Sequence, residues 1–198
     1  TLADPRADAD ELRRMSAVVG RAAQRASQLV EALLLLARTE GTGLGVREPV
    51  DLAAVVDAAW DAVRADGAER GISPVFRTAP AHAVGDPALL ERVAGNLLEN
   101  AVRHNVSGGW VEVCTGVVDG AAQLKVASSG AEIPAEKVAE LFEPFRRGPV
   151  ERTAAVPGAG LGLSIVRAVV TAHGGTVEAA PGEGGGLVVT VRLPGGAG

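Results

Sequence analysis

Apolar residues recur at alternating steps of three and four positions along the first forty residues, beginning at Leu12 and ending at Leu36. This spacing places them on one stripe of a helix, which is the pattern of a coiled-coil seam. Acidic residues just before Leu12 favour a helix start, because negative charge is stabilising at a helix N-terminus. The pattern predicts a long helix over about residues 9–40, which cannot bury its apolar stripe alone.

Beyond this helix the pattern changes to shorter helical and alternating segments. We expect helices near residues 52–66, 87–104, 135–141 and 160–173, and strands near 72–78, 110–118, 121–128, 175–180 and 186–193. Turn signals such as Asp119-Gly120 separate neighbouring strands and predict hairpins. The sequence therefore predicts an α+β fold, in which helices cover one face of a mixed, mainly antiparallel sheet. A glycine-rich stretch divides the chain into a helical segment over 1–43 and a globular domain over 44–198.

The predicted helix over 87–104 carries four polar residues on adjoining strips of its surface: Asn96, Asn100, Arg103 and His104. Apolar residues at helical spacing occupy the other side, so we expect these four side chains to look into one cleft. An asparagine carbonyl is an oxygen ligand that suits Mg²⁺, and an arginine can clamp a phosphate oxygen. Asn100 is the candidate metal ligand. The alternative is a solvated polar face on an ordinary amphipathic helix.

A second group of candidate residues is the glycines at 158, 160 and 162, which precede an apolar run ending near His173. Glycines before a helix start leave backbone N–H groups free to cradle phosphate, helped by the helix dipole. A flexible loop is the alternative interpretation. The dinucleotide fingerprint and the P-loop both fail here, since the sequence around these glycines lacks the flanking residues that each motif requires.

A third segment, Ser128 to Pro134 with the sequence SSGAEIP, lies between the other two. In this order the segments resemble the catalytic and ATP-binding end of a bacterial sensor histidine kinase, and the resemblance covers nearly the whole chain. The family's asparagine box, NLLxNA followed by a basic and an aromatic residue, is matched from Asn96 to His104. The resemblance implies a Bergerat-type fold, which is a two-layer α/β sandwich, preceded here by a coiled-coil-like helix.

The resemblance also implies roles for single residues. Asn100 would hold Mg²⁺, Asn96 and Arg103 would face the phosphates of ATP, and His104 would take the place of the usual aromatic residue near the nucleotide. The phenylalanine box and the two glycine boxes imply further nucleotide contacts at Ser128, Gly130, Ile133, Phe142, Phe145, Gly158, Gly160, Leu161, Gly162 and Leu163. Without the resemblance, Phe142 and Phe145 would be interpreted as core residues.

The first glycine box departs from the family pattern at two positions. Ser128 stands where the family has its adenine-reading aspartate, and Glu132 stands where it has the second glycine. A serine hydroxyl can accept a hydrogen bond from the adenine amino group, but a charge-assisted bond is roughly twice as strong as a neutral one. We therefore expect weaker or water-mediated binding of the base. We expect Glu132 to be a surface charge on a solvated turn.

The N-terminal helix resembles the second helix of the family's dimerisation hairpin. The phosphoacceptor box His-Glu-Leu-Arg-Thr-Pro does not occur in the sequence, and we expect His82, His104 and His173 to be loop, cleft-edge or helix-end residues. The resemblance implies transfer of the γ-phosphoryl of Mg-ATP to a histidine outside this sequence. It also implies a homodimer, a response-regulator partner, and a cytoplasmic domain cut from a parent protein anchored in the membrane.

Charge and composition narrow the function further. A net charge of −5 and an isoelectric point near 5.3 argue against nucleic-acid binding. A small basic cluster at Arg146, Arg147 and Arg152 falls where the family places its mobile ATP lid, and a solvated loop is the alternative. The single cysteine, Cys114, excludes an internal disulfide, and we expect a buried thiol. No run approaches the roughly 18 apolar residues of a membrane span, so we expect no membrane contact by this part.

Two other functions compete with the kinase. An ATP-hydrolysing clamp of the same superfamily would need a water-activating glutamate one helical turn before Asn100, where this chain has Asn96. Glu99 precedes Asn100 directly and so points about 100° away on the helix. A scaffold that has lost nucleotide binding and acts through helical dimerisation is the second alternative. Ser128 and Glu132 motivate it, and the intact Asn100 argues against it.

Overall fold

The computed structural model describes residues 47–144 and 160–196. The predicted seam helix over 9–40, its glycine linker, the basic cluster and the site candidates Phe145 and Gly158 lie outside the described residues. The division of the chain at residues 43 and 44 therefore stays a prediction.

The described chain alternates between strands and helices, with most of its strands in hairpins. The helices are α1 (Leu52–Glu69), α2 (Pro87–Arg103), α3 (Ala135–Val138), continued by a 3-10 turn (Ala139–Phe142), and α4 (Gly162–Ala172). The strands are β1 (Glu48–Asp51), β2 (Ser73–Thr78), β3 (His82–Gly85), β4 (Trp110–Val118), β5 (Ala121–Ser128), β6 (Thr176–Pro181) and β7 (Leu187–Pro194). Among these helices, none has the length and apolar character needed to cross a membrane.

Five strands form the main sheet in the order β2-β4-β5-β7-β6. Strands β2 and β4 run parallel, and the other neighbours are antiparallel. Alternate residues of β4 and β5, such as Val113 and Leu124, are buried, and the positions between them are less so. The buried face packs in one core with the apolar sides of α1, α2 and α4. This arrangement confirms the predicted α+β fold, a two-layer sandwich with a mixed, mainly antiparallel sheet.

Each of the first two helices begins at an aspartate that binds the free N–H groups of its first turn. The carboxylate of Asp86 accepts hydrogen bonds from the N–H groups of Ala88 and Leu89 at 3.0 and 3.3 Å, and Pro87 follows it. Asp51 accepts from the N–H of Ala53 at 3.0 Å. These caps fix where α1 and α2 start, and the start of α2 fixes which of its side chains reach the site.

A second sheet was missed by the sequence analysis. Strands β1 and β3 pair antiparallel over four residues each. His82 belongs to β3, so the expectation that it is a loop, cleft-edge or helix-end residue was wrong. Four residues contain too few alternations to separate a strand from a loop. The chain's last described residue, Gly196, donates its N–H to the carbonyl of His82 at 2.8 Å and so holds β3 from its other side.

Cys114 is only partly buried, which corrects the prediction of a buried thiol. It lies on β4 between the buried residues Val113 and Thr115, so its side chain points to the opposite face of the sheet. The positions of β4 and β5 on that face are mostly only partly buried. Partial burial and the neighbouring carboxylate of Glu112 raise the pKa of the thiol.

Candidate functional site

Helix α2 carries the four polar candidates along its C-terminal half. Asn96 is buried, with 5% of its surface exposed, while Asn100 and Arg103 are half-buried and His104 is exposed at the C-cap. Apolar residues on the other side of α2, such as Leu97 and Leu98, lie in the core. Packing of that side therefore fixes the rotation of α2 and directs the asparagines away from the centre of the core.

Asn96 has an unpaired donor. Its side-chain nitrogen Nδ2 is inaccessible to solvent and has no hydrogen-bond partner among the described residues. A buried amide donor without a partner costs about 1–3 kcal/mol, so such a group generally marks strain or takes a water, an ion or a ligand as its partner. The position of Asn96 therefore suits a ligand that brings an acceptor oxygen.

The N-terminus of α4 lies beside Asn96. A methyl group placed on Gly162, the first residue of α4, would stand 3.8 Å from the side-chain oxygen of Asn96. Leu161 occupies the N-cap and makes no side-chain cap hydrogen bond. The free N–H groups of a helix start attract anions, and the helix dipole adds to this attraction. The structure thus brings the asparagine box and the second glycine box together, with Leu161 and Leu163 buried behind them.

The first glycine box meets the other end of α2. A methyl group on Gly130 would lie 2.9 Å from the backbone oxygen of His104, so only glycine fits this approach without a shift. Ser128 ends β5 and is buried, with 8% of its surface exposed. Ile133 is half-buried against the core, and Glu132 is exposed, as expected for a surface charge. The structure therefore places Ser128 and Gly130 next to the C-terminal end of α2.

Phe142 ends the 3-10 turn and is a core residue. It is buried with 6% exposure, and the guanidinium carbon of Arg167 on α4 lies 5.8 Å from its ring centroid. The ring thus packs against the helix that begins at Gly162. Its position agrees with the core interpretation, and a direct contact with a nucleotide stays a prediction.

Arg103 lies beside an acidic neighbour. Its guanidinium is 3.6 Å from the carboxylate of Glu99 one helical turn earlier, and both side chains are partly exposed. A pair of this kind is worth only about 0–1 kcal/mol. The contact is therefore weak enough for Arg103 to exchange Glu99 for a phosphate.

The residues present fit a magnesium nucleotide in two respects. The unpaired donor of Asn96 and the uncapped start of α4 both suit phosphate oxygens. Within residues 47–144 and 160–196, no group of three or more His, Cys, Asp and Glu side chains could form a metal site. A single amide oxygen such as that of Asn100 suits Mg²⁺, which commonly takes few protein ligands and completes its shell with phosphates and water.

The sequence analysis missed two residues, Ser129 and Asn105, that connect the end of β5 with the end of α2. Their side chains hydrogen-bond to each other at 2.6 Å, although they are 24 positions apart in the chain. Ser129 lay within a quoted motif and Asn105 directly followed the asparagine box. A polar residue at each segment end was therefore the available signal, but only the strand register brings the two together.

Comparison with known proteins gives a family and several relatives. Residues 85–197 match the family described as histidine kinase-, DNA gyrase B-, and HSP90-like ATPase. The sensor protein CutS of Streptomyces coelicolor is 48% identical over 194 residues, covering 98% of this chain and 46% of CutS. The signal transduction histidine-protein kinase BaeS of Escherichia coli is 35% identical over 170 residues, covering 85% of this chain and 36% of BaeS. The chain thus spans less than half the length of these relatives.

A solved structure agrees with the sequence matches. The mycobacterial sensor histidine kinase MprB superposes with a TM-score of 0.67 at 34% identity, covering 76% of this chain and 98% of that structure. At 34% identity the two proteins are similar in sequence as well as in fold.

Proposed function

We propose that this chain is the ATP-binding catalytic part of a sensor histidine kinase, since it belongs to the histidine kinase-, DNA gyrase B- and HSP90-like ATPase family. Its reaction is transfer of the γ-phosphoryl group of ATP to a histidine in a two-component signalling pathway. The observation that carries this proposal is the buried, unpaired Nδ2 of Asn96 beside the uncapped start of α4.

Phosphate binding follows from the charges and donors around this point. The N–H groups at Gly162 and Leu163 supply donors that need no side chain, and Asn96 adds a side-chain donor from the facing helix. Arg103 stands two helical turns further along α2 and adds positive charge once it leaves Glu99. Phosphoryl transfer depends mainly on position and charge neutralisation, which these groups would provide.

Asn100 would hold Mg²⁺. When bound, the ion neutralises charge on the phosphates and keeps them in one arrangement. Asn100 lies one helical turn after Asn96 and is half-buried, so its amide is accessible from the cleft. The base would lie towards Ser128, Gly130 and His104, at the other end of α2 from its capped start.

Kinase activity fits the residues better than the two competing functions. Asn96 occupies the position where an ATP-hydrolysing clamp needs a glutamate, and Glu99 is turned towards Arg103. A scaffold without nucleotide binding would have no use for a buried, unpaired amide donor. Ser128 and Glu132 would then modify the base pocket and leave the phosphate-binding groups of α2 and α4 in place.

Further parts of the proposal concern the parent protein. Its relatives are named a sensor protein and a signal transduction histidine-protein kinase, so we infer a response regulator as partner and a homodimer formed through the helix predicted over 9–40. The parent protein would be anchored in the membrane, with this domain on the cytoplasmic side. Nucleic acid is not a partner of a chain with a net charge of −5.

Calorimetric titration of ATP, with and without Mg²⁺, tests the proposal. The unsubstituted chain should bind ATP more tightly with Mg²⁺, and Asn100→Ala should lose that gain while remaining folded. Gln123→Ala is a matched control, because it removes an amide from the sheet face opposite the helices. Equal Mg²⁺ dependence in Asn100→Ala and the unsubstituted chain would contradict the role of Asn100. No ATP binding by the unsubstituted chain would contradict the function itself.

A further inference from the structure

Ser129 and Asn105 form a closed set of hydrogen bonds between the end of β5 and the end of α2. The hydroxyl of Ser129 accepts from the N–H of Trp110 at 2.8 Å and donates to the side-chain oxygen of Asn105 at 2.6 Å. The Asn105 nitrogen donates to the carbonyls of Ala101 and Trp110, each at 3.0 Å. Each side chain thus uses both its donor and its acceptor capacity. We call this set the Asn105–Ser129 clamp.

The clamp leaves no room for a side chain at Gly109. A methyl group there would overlap the Asn105 oxygen and the Ser129 hydroxyl. The same loop is held from outside, since the N–H of Gly108 donates to the carbonyl of Arg70 at 3.0 Å. A glycine is therefore needed at the one point where the two clamp side chains meet the backbone between α2 and β4.

The segment after Ser129 is fixed from a second direction by the turn between β6 and β7. The N–H of Gly186 donates to the carbonyl of Ala131 at 3.0 Å. A methyl group on Gly186 would overlap the carbonyl oxygen of Ser128, and its φ of +89° also favours glycine. The clamp and this turn hold the segment from two sides. The turn contacts the segment through its backbone, whereas the clamp connects it to α2 through side chains.

We propose that Ser129 and Asn105 are positioning residues of the nucleotide site, which set the separation of its two walls. Ser129 stands between Ser128 and Gly130 on one wall, and Asn105 binds the last turn of α2 on the other. Neither residue is assigned a contact with the nucleotide. The inference rests on the proposed function and adds that the base end of the pocket depends on a link between two residues to which the quoted motifs assign no role.

Loss of the clamp should weaken the binding of adenine nucleotides to the same extent, however many phosphates they carry. Ser129→Ala removes the hydroxyl, so the Trp110 N–H loses this acceptor and the Asn105 oxygen keeps only its bond from the N–H of Val106. We expect ATP and ADP to bind about fivefold more weakly, since one hydrogen bond is worth about 1 kcal/mol. The ATP-to-ADP affinity ratio and the Mg²⁺ dependence should stay unchanged, because Asn100 and the start of α4 are untouched.

A control variant separates positioning from stability. Thr115→Val also breaks polar contacts on β4, because the Thr115 hydroxyl donates to the carbonyl of Ala79 at 2.8 Å. Thr115 lies four residues along β4 from Val111, which pairs with Ser128. Thr115→Val should therefore lower the melting temperature without changing the affinity for ATP. Titrations are made at 10 °C on samples whose circular dichroism shows them folded. Weakened binding in Ser129→Ala alone supports positioning, and equal weakening in both variants overturns it.

Asn105→Ala gives the same test if Ser129→Ala does not fold, and the double variant tests the link itself. If both residues act through their shared hydrogen bond, the double variant should bind no more weakly than the weaker single variant. Additive losses would overturn the clamp as the cause. If the unsubstituted chain binds ATP and Ser129→Ala binds it equally well, only this inference fails. If the unsubstituted chain binds no ATP, the proposed function fails first.

Discussion

The imidazole of His173 accepts a hydrogen bond from the backbone N–H of Asp86 through Nε2, at 3.0 Å. Because Nε2 is the acceptor, the ring proton lies on Nδ1, which donates to the carbonyl of Val169 at 2.8 Å. His173 is buried at the C-cap of α4, and Asp86 is the N-cap of α2. One neutral imidazole thus connects the end of one site helix to the start of the other, as suits its prediction as a helix-end residue.

Gly85 leaves the space that the His173 imidazole occupies, so a side chain at position 85 should lower the stability of the fold. A methyl group on Gly85 would lie 2.6 Å from Nε2 of His173 and 3.1 Å from a methyl of Leu90. We expect Gly85→Ala to lower the free energy of unfolding by about 2 kcal/mol, because the ring must move away from Asp86. Urea unfolding followed by circular dichroism measures the change.

Gly95 is the matched control for Gly85. It lies inside α2, and a methyl group there would meet nothing within 4 Å in the described chain. Alanine is favoured over glycine in a helix interior by about 1 kcal/mol, so Gly95→Ala should raise stability. An unfolding free energy for Gly85→Ala equal to that of the unsubstituted chain would show that His173 repacks without cost.

Ser128→Asp should bind ATP more tightly than the unsubstituted chain. The carboxylate would replace a neutral acceptor at a buried position, a gain of about 1 kcal/mol or fivefold in affinity. Ser128→Asn has nearly the same shape without the charge and should gain less. Calorimetry with ATP measures both. Weaker binding by Ser128→Asp would mean that the base lies elsewhere than beside Ser128.

Cys114 should react slowly with iodoacetamide until the pH is above the range of a free thiol. Partial burial, with a smaller effect from the Glu112 carboxylate, raises its pKa, and only the thiolate is the nucleophile. The folded state therefore retains the proton longer than the unfolded chain does. The resulting stability is present below the unfolded pKa and is lost as the pH rises through the folded pKa.

Alkylation rates followed by mass spectrometry between neutral and alkaline pH give the midpoint for Cys114. Glu112→Gln should shift the midpoint downward, because it removes the neighbouring negative charge. Its control is Glu178→Gln, which removes a carboxylate at the opposite edge of the sheet. A midpoint equal to that of the chain unfolded in urea would contradict the raised pKa.

Long periodic segments were predictable from the sequence, because repetition reports which side of an element is buried. Helix α2 and strands β4 and β5 were predicted to within a residue. The same alternation could have corrected Cys114, which has the opposite parity from the buried Val111 and Val113. Strands β1 and β3 were missed because each is short and finds its partner across a helix in the sequence.

The site was predictable as a set of segments and less so as a set of contacts. The order of motifs indicated one pocket, and the structure brings Asn96 against Gly162 and His104 against Gly130. The unpaired state of the Asn96 nitrogen and the link from Asn105 to Ser129 depend on how α2 rotates and how β4 pairs with β5. Tertiary packing decides both, and no local pattern encodes them.

Strand β3 is held on one side by β1 and on the other by Gly195 and Gly196. Most domains fray at their extremities, where few contacts oppose opening. Here the first described strand and the last described residues both pair with β3, and β3 runs directly into the Asp86 cap of α2. Opening at either end of the described residues would therefore remove support from β3, and slow amide exchange in β3 would report the integrity of α2.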